Sequence, residues 1–408
     1  MFGIPAAVLV IAAVVIVVVV LMKGRQTPTS NTLDDTDPRV TETGTPSESP
    51  TETPAGTPAE SPTESPAATP EETPSESPEQ SPEGFTGTDT RMYPGGTYTG
   101  EFVNDVRSGR GVMTYMDGSE YDGAWENDVR SGQGVLTFAN GERYAGGWVN
   151  DVRSGQGTFS YFNGTFYDGS WENNVRAGQG TLTFSDGAVY TGAWANDVRA
   201  GQGTMTYTDD AVYTGSWEND VRSGQGTLNF ASGAVYIGDW REDARTGQGT
   251  ITWADGDTYT GDWVNNMRNG QGTYTWFGGG AYTGAWLENN RSGYGSIAYA
   301  NGNTYEGYWE NDVRHGQGTF TWESGSVYTG AWLEDVRTGY GTYAWDNGSL
   351  YEGEWLDGER SGEGNMRWSN GDVYIGAWLN NVTHGYGVMT YADGSVEDGM
   401  WENGNFVG

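Results

Sequence analysis

The sequence predicts an all-β repeat array, in which consecutive β-hairpins stack into one elongated, twisted antiparallel sheet. A tyrosine recurs every 23 residues from Tyr98 to Tyr374 without an insertion, and a fixed period in the twenties is typical of repeat arrays. Within each period, two segments alternate aromatic or aliphatic residues with small ones, which is strand periodicity. The 66 glycines supply the turns that hairpins need.

Positions in a repeat are counted from this tyrosine, which is position 0. The first strand is seen in "AVYTGAW" from Ala188 and the second in "GTLTF" from Gly180, with "ANDVRAG" and "SDG" as turns. Because the second turn is short, neighbouring repeats must also pair in antiparallel fashion. We expect glycine at position 2 to leave room for an aromatic ring, and glycines at positions 11, 13 and 20 to adopt positive φ angles. Thirteen full repeats and a truncated copy from Glu397 make up residues 91–408.

The first 25 residues predict a transmembrane anchor. "MFGIPAAVLVIAAVVIVVVVLM" holds 22 residues without a charged side chain before Lys23 and Arg25, and at about 1.5 Å per helical residue it spans a hydrocarbon core of about 30 Å. A cleaved signal peptide is the competing interpretation. It is disfavoured because the run is long and lacks a basic amino-terminal region and an A-x-A site.

Residues 26–90 predict a disordered stalk rich in Ser, Thr, Pro and Glu. Proline recurs at every fourth residue from Pro46 to Pro82, which favours extended polyproline II over a packed core. At about 3.1 Å per residue, the segment could reach about 200 Å when fully extended. Its length and regularity indicate a spacer, with a ligand for a proline-binding domain as the disfavoured alternative.

The repeat "YEGYWENDVRHGQGTFTW" from Tyr305 resembles the MORN (membrane occupation and recognition nexus) repeat, whose pattern is Y-x-G-x-W-x-x-G-x-x-x-G-x-G. The resemblance covers residues 98–408. It implies stacked hairpins with an aromatic-lined groove, and a function as a scaffold, a junction or membrane-tethering module, or a phospholipid binder. Position 7, glycine in the family pattern, is mostly Asp or Asn, as at Asp197 and Asn266. These residues tolerate the left-handed conformation.

The charge of the array argues against phosphate-bearing partners. Residues 91–408 contain 17 arginines, no lysine and 41 acidic residues, so their surface repels phospholipid headgroups and nucleic acid. Valine at position 8, where the family often has lysine, points the same way. Twelve arginines occupy position 9. We expect each to neutralise the Asp at position 7 or the Glu at position 5, rather than to form an exposed row for an acidic partner.

No feature of the sequence predicts catalysis. His315 and His384 are the only histidines and both occupy position 10, so they belong to the repeat pattern. "GQGT" opens a strand and not a helix, so it lacks the amide geometry of a phosphate loop. Copies of one position lie about 9.6 Å apart, too far to share a calcium ion. We therefore expect no enzyme activity, no catalytic residue, no cofactor and no metal site.

The aromatic rows leave two interpretations open. Tyr at position 0 and Trp at position 4 form the core, or part of their face stays open to stack against a peptide, a strand or a sugar. The carboxy-terminal third is the more apolar end, because position 17 becomes tryptophan and position 5 becomes leucine, and an apolar surface favours a partner. The candidate partner surface comprises Trp253, Trp276, Leu287, Trp322, Leu333, Trp345, Leu356, Trp368 and Leu379.

Together these features predict a non-catalytic, single-pass plasma-membrane protein whose array is a scaffold that presents an aromatic-rich surface to protein partners. The alternative is a cell-envelope carbohydrate-binding or adhesion protein that recognises wall polysaccharide, and a phospholipid tether is less favoured. Lys23 and Arg25 favour a cytoplasmic array by the positive-inside rule. The stalk is typical of extracellular spacers instead, so both sides of the membrane stay open.

Overall fold

The computed structural model describes residues 84–408. The predicted anchor and nearly all of the predicted stalk therefore lie outside the described residues. Among residues 84–408 there is no helix whose length and apolar character suffice to cross a membrane. The first strand begins at Gly87, four residues before the predicted start of the array.

The described chain forms a single sheet of 29 strands. Each strand pairs in antiparallel fashion with the next one in the chain, as β10 with β9 and with β11. The predicted repeat array of stacked hairpins in one antiparallel sheet is thus confirmed. The strands are β1 (Gly87–Tyr93), β2 (Gly96–Val103), β3 (Val106–Tyr115), β4 (Glu120–Glu126), β5 (Val129–Thr137), β6 (Arg143–Val149), β7 (Val152–Ser160), β8 (Phe166–Glu172), β9 (Val175–Thr183), β10 (Val189–Ala195), β11 (Val198–Thr206), β12 (Val212–Glu218), β13 (Val221–Asn229), β14 (Val235–Arg241), β15 (Ala244–Thr252), β16 (Thr258–Val264), β17 (Met267–Thr275), β18 (Gly280–Leu287), β19 (Asn290–Tyr299), β20 (Thr304–Glu310), β21 (Val313–Thr321), β22 (Val327–Leu333), β23 (Val336–Ala344), β24 (Leu350–Leu356), β25 (Glu359–Arg367), β26 (Val373–Leu379), β27 (Val382–Thr390), β28 (Val396–Glu402) and β29 (Asn405–Phe406).

The tight turn inside each repeat lies at positions 6 and 7. Asn196 and Asp197 have φ angles of 50° and 68°, so both central residues are left-handed, as a two-residue type I′ hairpin requires. Asn and Asp adopt this conformation more easily than most residues. The expectation that the turn survives without glycine at position 7 is confirmed.

The turn between repeats is built on glycine at position 20. The amide of Gly187 donates to the carbonyl of Phe184, and the amide of Phe184 donates to Ala188. Gly187 has a φ of 99°, which is the conformation that glycine adopts at least cost. A second glycine, Gly201 at position 11, has a φ of 63° in a bulge where the register shifts between Gly192 and Trp194.

Side chains segregate by position onto the two faces of the sheet. Positions 0, 2, 4, 9, 13, 15 and 17 share one side, which we call the inner face, and it carries the buried aromatic rows. Positions 1, 3, 5, 8, 10, 12, 14, 16 and 22 share the opposite side, the outer face. The alternation follows from the pleat of the strands. The bulge adds two residues and therefore leaves the alternation unchanged.

Candidate interaction surface

The inner face is built around the tyrosine of each repeat. Tyr190 is fully buried and its hydroxyl donates a hydrogen bond to the carbonyl of Ala193 at 3.0 Å. Its ring lies over Gly192 and Gly203, which are paired across the hairpin. A Cβ atom at Gly203 would lie 2.3 Å from the tyrosine Oη atom. A side chain at either glycine would therefore overlap the tyrosine ring.

The role of glycine at position 13 differs from the prediction. We expected this glycine to adopt a positive φ, but no position-13 glycine does so in residues 84–408, whereas those at positions 11 and 20 do. The reason for glycine at position 13 is steric, because the tyrosine ring occupies the space of a side chain. The expected clearance for an aromatic ring at position 2 is confirmed, since Gly192 faces the same Tyr190 hydroxyl.

Tryptophan at position 4 joins each repeat to the one before it. Trp217 contacts Tyr213 of its own repeat and Tyr190 of the preceding repeat, each at 5.3 Å between ring centroids in edge-to-face geometry. Its Nε1 atom donates to the carbonyl of Gly203 at 3.3 Å. Edge-to-face pairs contribute about 0.5–1.5 kcal/mol beyond burial. Each tryptophan is thus an inter-repeat contact.

The position-9 arginines also join neighbouring repeats, through ion pairs, hydrogen bonds and cation–π contacts. The Nε atom of Arg199 lies 3.1 Å from Asp220 Oδ1, and its Nη2 atom donates to the Asp220 carbonyl at 2.7 Å. The Asp220 amide in turn donates to the Arg199 carbonyl. The guanidinium Cζ atom lies 4.3 Å from the ring centroid of Trp217, a cation–π distance.

The expected pairing of these arginines with the acid at position 7 is confirmed, and the acid belongs to the next repeat. Ion pairs of this kind join Arg107, Arg130, Arg176, Arg199, Arg222, Arg291 and Arg314 to an aspartate 21 residues later. At the amino-terminal end, Arg91 of β1 takes this place, lying 4.2 Å from the Phe102 centroid and 3.0 Å from Asp105. At the other end, Thr383 occupies position 9, and Phe406 packs against Trp401 instead.

The inner rows at positions 0 and 4 are core. The tyrosines at position 0 have no exposed surface, and the position-4 tryptophans expose 2–5 % of theirs. Burial raises the pKa of Tyr190 to about 12, because the phenolate form would lose its hydration. Of the two interpretations left open by the sequence, the structure supports the core for these rows.

The structure divides the candidate partner surface between both faces. The five tryptophans at position 17 are half-buried on the inner face. Trp322, for example, lies between Phe320 and Tyr343, with ring centroids 4.5 and 5.1 Å away. Trp253, Trp276, Trp345 and Trp368 are likewise packed against the buried aromatic rows.

The four leucines at position 5 lie on the outer face instead. They expose 53 % of Leu287, 50 % of Leu333, 59 % of Leu356 and 42 % of Leu379. The tryptophans and the leucines therefore do not form one continuous surface. Of the two groups, the leucines are the more accessible to a partner.

Three exposed tyrosines accompany the leucines and were missed from the sequence. Tyr294, Tyr340 and Tyr386 all occupy position 12, where the earlier repeats mostly have glutamine. Each exposes more than half of its surface. Their spacing of 46 residues, twice the repeat period, was the signal available in the sequence.

The polar side chains of residues 84–408 follow the repeat pattern. No three His, Asp or Glu side chains in this range are grouped as a metal site would require. His315 lies on the outer face, with its Nδ1 atom 3.4 Å from Glu310 Oε2.

Comparison with solved structures gives similarities at low identity. The TCP10 domain of Danio rerio CPAP, in complex with a peptide of STIL, is 11 % identical over 60 % of this chain and 93 % of that one, with a TM-score of 0.29. The TCP domain of Drosophila melanogaster dCPAP, in complex with a proline-rich motif of dSTIL, is 14 % identical over 43 % and 90 %, with a TM-score of 0.26. Virginiamycin B lyase from Staphylococcus aureus is 10 % identical over 59 % and 82 %, with a TM-score of 0.12.

Comparison with curated proteins finds no match. A family model described as MORN repeat matches thirteen consecutive segments of 23 residues each, the first at 98–120 and the last at 374–396. The segments follow one another without a gap and begin at the tyrosines of position 0. With most of its length matched in this way, the chain belongs to the MORN repeat family.

Proposed function

We propose that this protein is a non-catalytic scaffold whose outer face binds protein partners. The MORN repeat is generally a non-catalytic interaction domain, and the sheet of repeats supplies a long surface for such contacts. The observation that carries the proposal is the change in the outer face along the chain. From residue 282 onward, this face holds exposed apolar side chains in every repeat, which we call the outer stripe.

The outer stripe contains more exposed apolar side chains per repeat than the outer face of the earlier repeats does. Repeats between 98 and 281 expose only five large apolar side chains on the outer face: Val103, Val149, Phe166, Ile237 and Val264. Contiguous apolar exposure marks interaction sites. The outer stripe consists of Leu287, Tyr294, Tyr308, Leu333, Val336, Tyr340, Leu350, Leu356, Ile375, Leu379, Val382, Tyr386, Val396 and Met400.

The inner face is less suited to a partner. A ligand that stacked on Tyr190 or Trp217 would have to displace ring contacts and the hydrogen bonds described above. The outer stripe requires no such rearrangement, because its side chains already face solvent. Binding there leaves the contacts between repeats intact.

The proposal includes an anchor and a stalk that carry the array. The apolar run before Lys23 would hold the protein in the plasma membrane, and residues 26–90 would hold the array away from the bilayer. Trypsin treatment of intact cells tests this arrangement, since Arg39 is the single basic residue of the stalk. Release of the array places it outside the cell. Protection in intact cells, followed by release after lysis, places it in the cytoplasm.

The scaffold function is tested by replacing three leucines of the outer stripe. We expect the variant Leu333→Glu/Leu356→Glu/Leu379→Glu to lose covalent capture of protein partners in cross-linking on native membranes. Its far-ultraviolet circular dichroism should stay unchanged, because these side chains contribute little to the core. Retained capture would refute the assignment of this surface.

The same position offers a matched control at the other end of the array. Val103, Val149 and Val264 also occupy position 5 and expose 47 %, 52 % and 43 % of their surface. Replacing all three with glutamate introduces the same charge on the same face. We expect this variant to keep its partners, so equal loss in both variants would show a nonspecific effect of charge.

The alternative is a carbohydrate-binding protein, and two exposed rings favour it. Tyr294 and Tyr308 form an edge-to-face pair on the outer face with ring centroids 5.4 Å apart, and exposed aromatic rings suit stacking against sugars. Sedimentation of the protein with purified wall polysaccharide separates the two functions. A protein scaffold stays in the supernatant, whereas a carbohydrate binder sediments and loses this behaviour when Tyr308 is replaced by alanine.

A further inference from the structure

The outer stripe has a period of two repeats. Repeats that begin at Tyr282, Tyr328 and Tyr374 share the pattern Y-x-G-A-W-L at positions 0–5 and G-Y-G at positions 11–13. The repeats that follow them carry an acidic residue at position 1 instead, at Glu306, Glu352 and Asp398. Residues 282–408 are therefore three copies of one 46-residue unit, of which the last is shortened.

Each unit brings its tyrosine and its acid together. The hydroxyl of Tyr294 donates to Glu306 Oε1 at 2.9 Å, and that of Tyr386 donates to Asp398 Oδ1. Tyr340 and Glu352 occupy the same positions of the middle unit, on the paired strands β23 and β24. The hydrogen bonds fix the rings of Tyr294 and Tyr386 beside a carboxylate on the exposed surface. A leucine at position 5 of the same repeat supplies an apolar group nearby on the same face.

Acidic side chains lie on the outer face among the residues of the outer stripe. The outer-face positions of residues 282–408 hold eight carboxylates and one arginine, Arg367. The other four arginines of this range occupy position 9, where they lie on the inner face against tryptophans. The eight carboxylates are those of Glu306, Glu310, Glu352, Glu354, Glu359, Glu363, Asp398 and Glu402.

This charge excludes two occupants that the chain itself could offer. A second copy placed face to face would oppose carboxylates to carboxylates, which is destabilising. The stalk carries fourteen acidic residues and only Arg39 as a base, so it is repelled as well. An occupant must supply positive charge together with apolar side chains.

We propose that the outer stripe is the docking site for a basic amphipathic segment of a partner protein, which binds one anchor group per two-repeat unit. The proposal rests on the proposed scaffold function and specifies its partner. Apolar side chains of the segment contact the leucines, and its Lys or Arg side chains meet the carboxylates and the exposed tyrosine rings. Arginine and lysine favour such rings through cation–π contacts.

The spacing of the units predicts the spacing of the anchors. One unit contains four strands, so at about 4.8 Å per strand equivalent groups lie about 19 Å apart. An extended segment covers that distance with about six residues and a helix with about 13. Three units in series allow several weak contacts to add up to firm binding.

Designed peptides test the proposal on the full-length protein in a mild non-ionic detergent. The probe is a fluorescein-labelled helical peptide of leucine and lysine, about 27 residues long, which spans two units. Two matched peptides replace every lysine with glutamate, or every leucine with serine. We expect the leucine–lysine peptide to bind best and the leucine–glutamate peptide not to bind, as measured by fluorescence anisotropy.

Charge-neutral variants locate the site. The substitutions Glu306→Gln, Glu352→Gln and Asp398→Asn keep an acceptor for each tyrosine hydroxyl but remove three charges. We expect them together to weaken peptide binding about tenfold and to reduce its salt dependence, since each exposed ion pair contributes a few-fold. The control variant Asp122→Asn/Asp168→Asn/Glu172→Gln removes three outer-face charges from the early repeats and should change affinity less than twofold.

Three results would overturn the proposal: equal binding of the lysine and glutamate peptides, equal weakening by the two sets of variants, or equal binding of the leucine and serine peptides. The peptide experiment is independent of the cross-linking test of the leucine variants. If cross-linking confirms the scaffold while the carboxylate variants bind peptide normally, the partner is not basic. If the leucine variant still captures its partners, the outer stripe is not the partner surface, whatever the peptides show.

Discussion

Replacing Gly203 with alanine tests the packing of the inner face most directly. The added Cβ atom would lie 2.3 Å from Tyr190 Oη and 2.6 Å from its Cε2 atom, which is far inside van der Waals contact. The ring cannot move away freely, because it has no exposed surface and contacts the rings of Trp194 and Trp217. The substitution therefore forces the ring and its neighbours to shift.

The expected cost can be estimated from two contributions. Overpacking of a filled core costs about 1–3 kcal/mol, and the Tyr190 hydroxyl would lose its bond to the Ala193 carbonyl, a net loss of about 1 kcal/mol. The total is about 2–4 kcal/mol. The φ angle contributes nothing to this sum, because Gly203 does not lie in the left-handed region.

Two other glycines separate steric cost from backbone strain. Gly278 has open space around its Cβ position and no positive φ, so alanine should change the free energy of unfolding by less than about 0.5 kcal/mol. Gly141 has the same open space but a φ of 88°, so alanine should cost about 1 kcal/mol. The expected order of destabilisation is Gly203, then Gly141, then Gly278.

Guanidinium denaturation followed by tryptophan fluorescence measures the three variants against the parent. Because repeat arrays unfold through coupled neighbouring units, hydrogen exchange at residues 190–206 should confirm that the loss for Gly203→Ala is local at first. The same unfolding midpoint for Gly203→Ala and Gly278→Ala would refute the steric role of Gly203.

Three further outcomes follow from the same geometry. Burial raises the pKa of Tyr190 to about 12, against about 10 in the unfolded chain. The contribution of Tyr190 to stability is therefore complete below about pH 10 and is lost as the pH rises through about 12. Ultraviolet titration should show ionisation of the buried tyrosines coincident with unfolding. Thr383→Arg should place a guanidinium over Trp401 and raise the free energy of opening of the last hairpin by about 0.5–1 kcal/mol. Hydrogen exchange of that hairpin should slow accordingly, and an unchanged exchange rate would contradict this. Glu242 has a φ of 50° at position 6, so Glu242→Asn should raise the free energy of unfolding by about 1 kcal/mol and Asn219→Glu should lower it, with denaturation midpoints as the measure.

Much of the fold follows from the sequence because each local rule points to the same structure. The period of 23 gives the repeat, the two-residue alternation gives the strands, and Asn196–Asp197 gives the tight turn. Burial of the tyrosines and tryptophans follows from their place in this alternation. The ion pair of the position-9 arginines was also predictable, since unpaired rows of like charge are unfavourable.

The contacts between repeats were harder to predict. Sequence spacing alone does not show that Arg199 lies over Trp217 of the next repeat, because this depends on how strands of adjacent repeats are staggered. The steric role of Gly203 likewise depends on the direction of the Tyr190 ring. Both features are set by side-chain orientation across the sheet and not by local propensity.

The division of the candidate surface could have been derived from the sequence with one more step. A strand pleat places alternate residues on opposite faces. In the second strand of a repeat, Trp322 at position 17 lies with positions 13 and 15 on the inner face. In the first strand, Leu333 at position 5 lies with position 3 on the outer face. The tryptophans and leucines share their apolar character and their place in the carboxy-terminal third, but they lie on different faces.

The two faces have different freedom to vary along this chain. On the inner face, Tyr190 contacts two glycines, the tryptophans of its own and the following repeat, and the arginine of its own repeat, so a change in one repeat disturbs the next. The outer face has few such requirements, and its composition changes from repeat to repeat while the strands keep their register. Apart from position 17 on the inner face, the differences between repeats are therefore concentrated on the outer face. In this chain they culminate in the two-repeat units that begin at Tyr282.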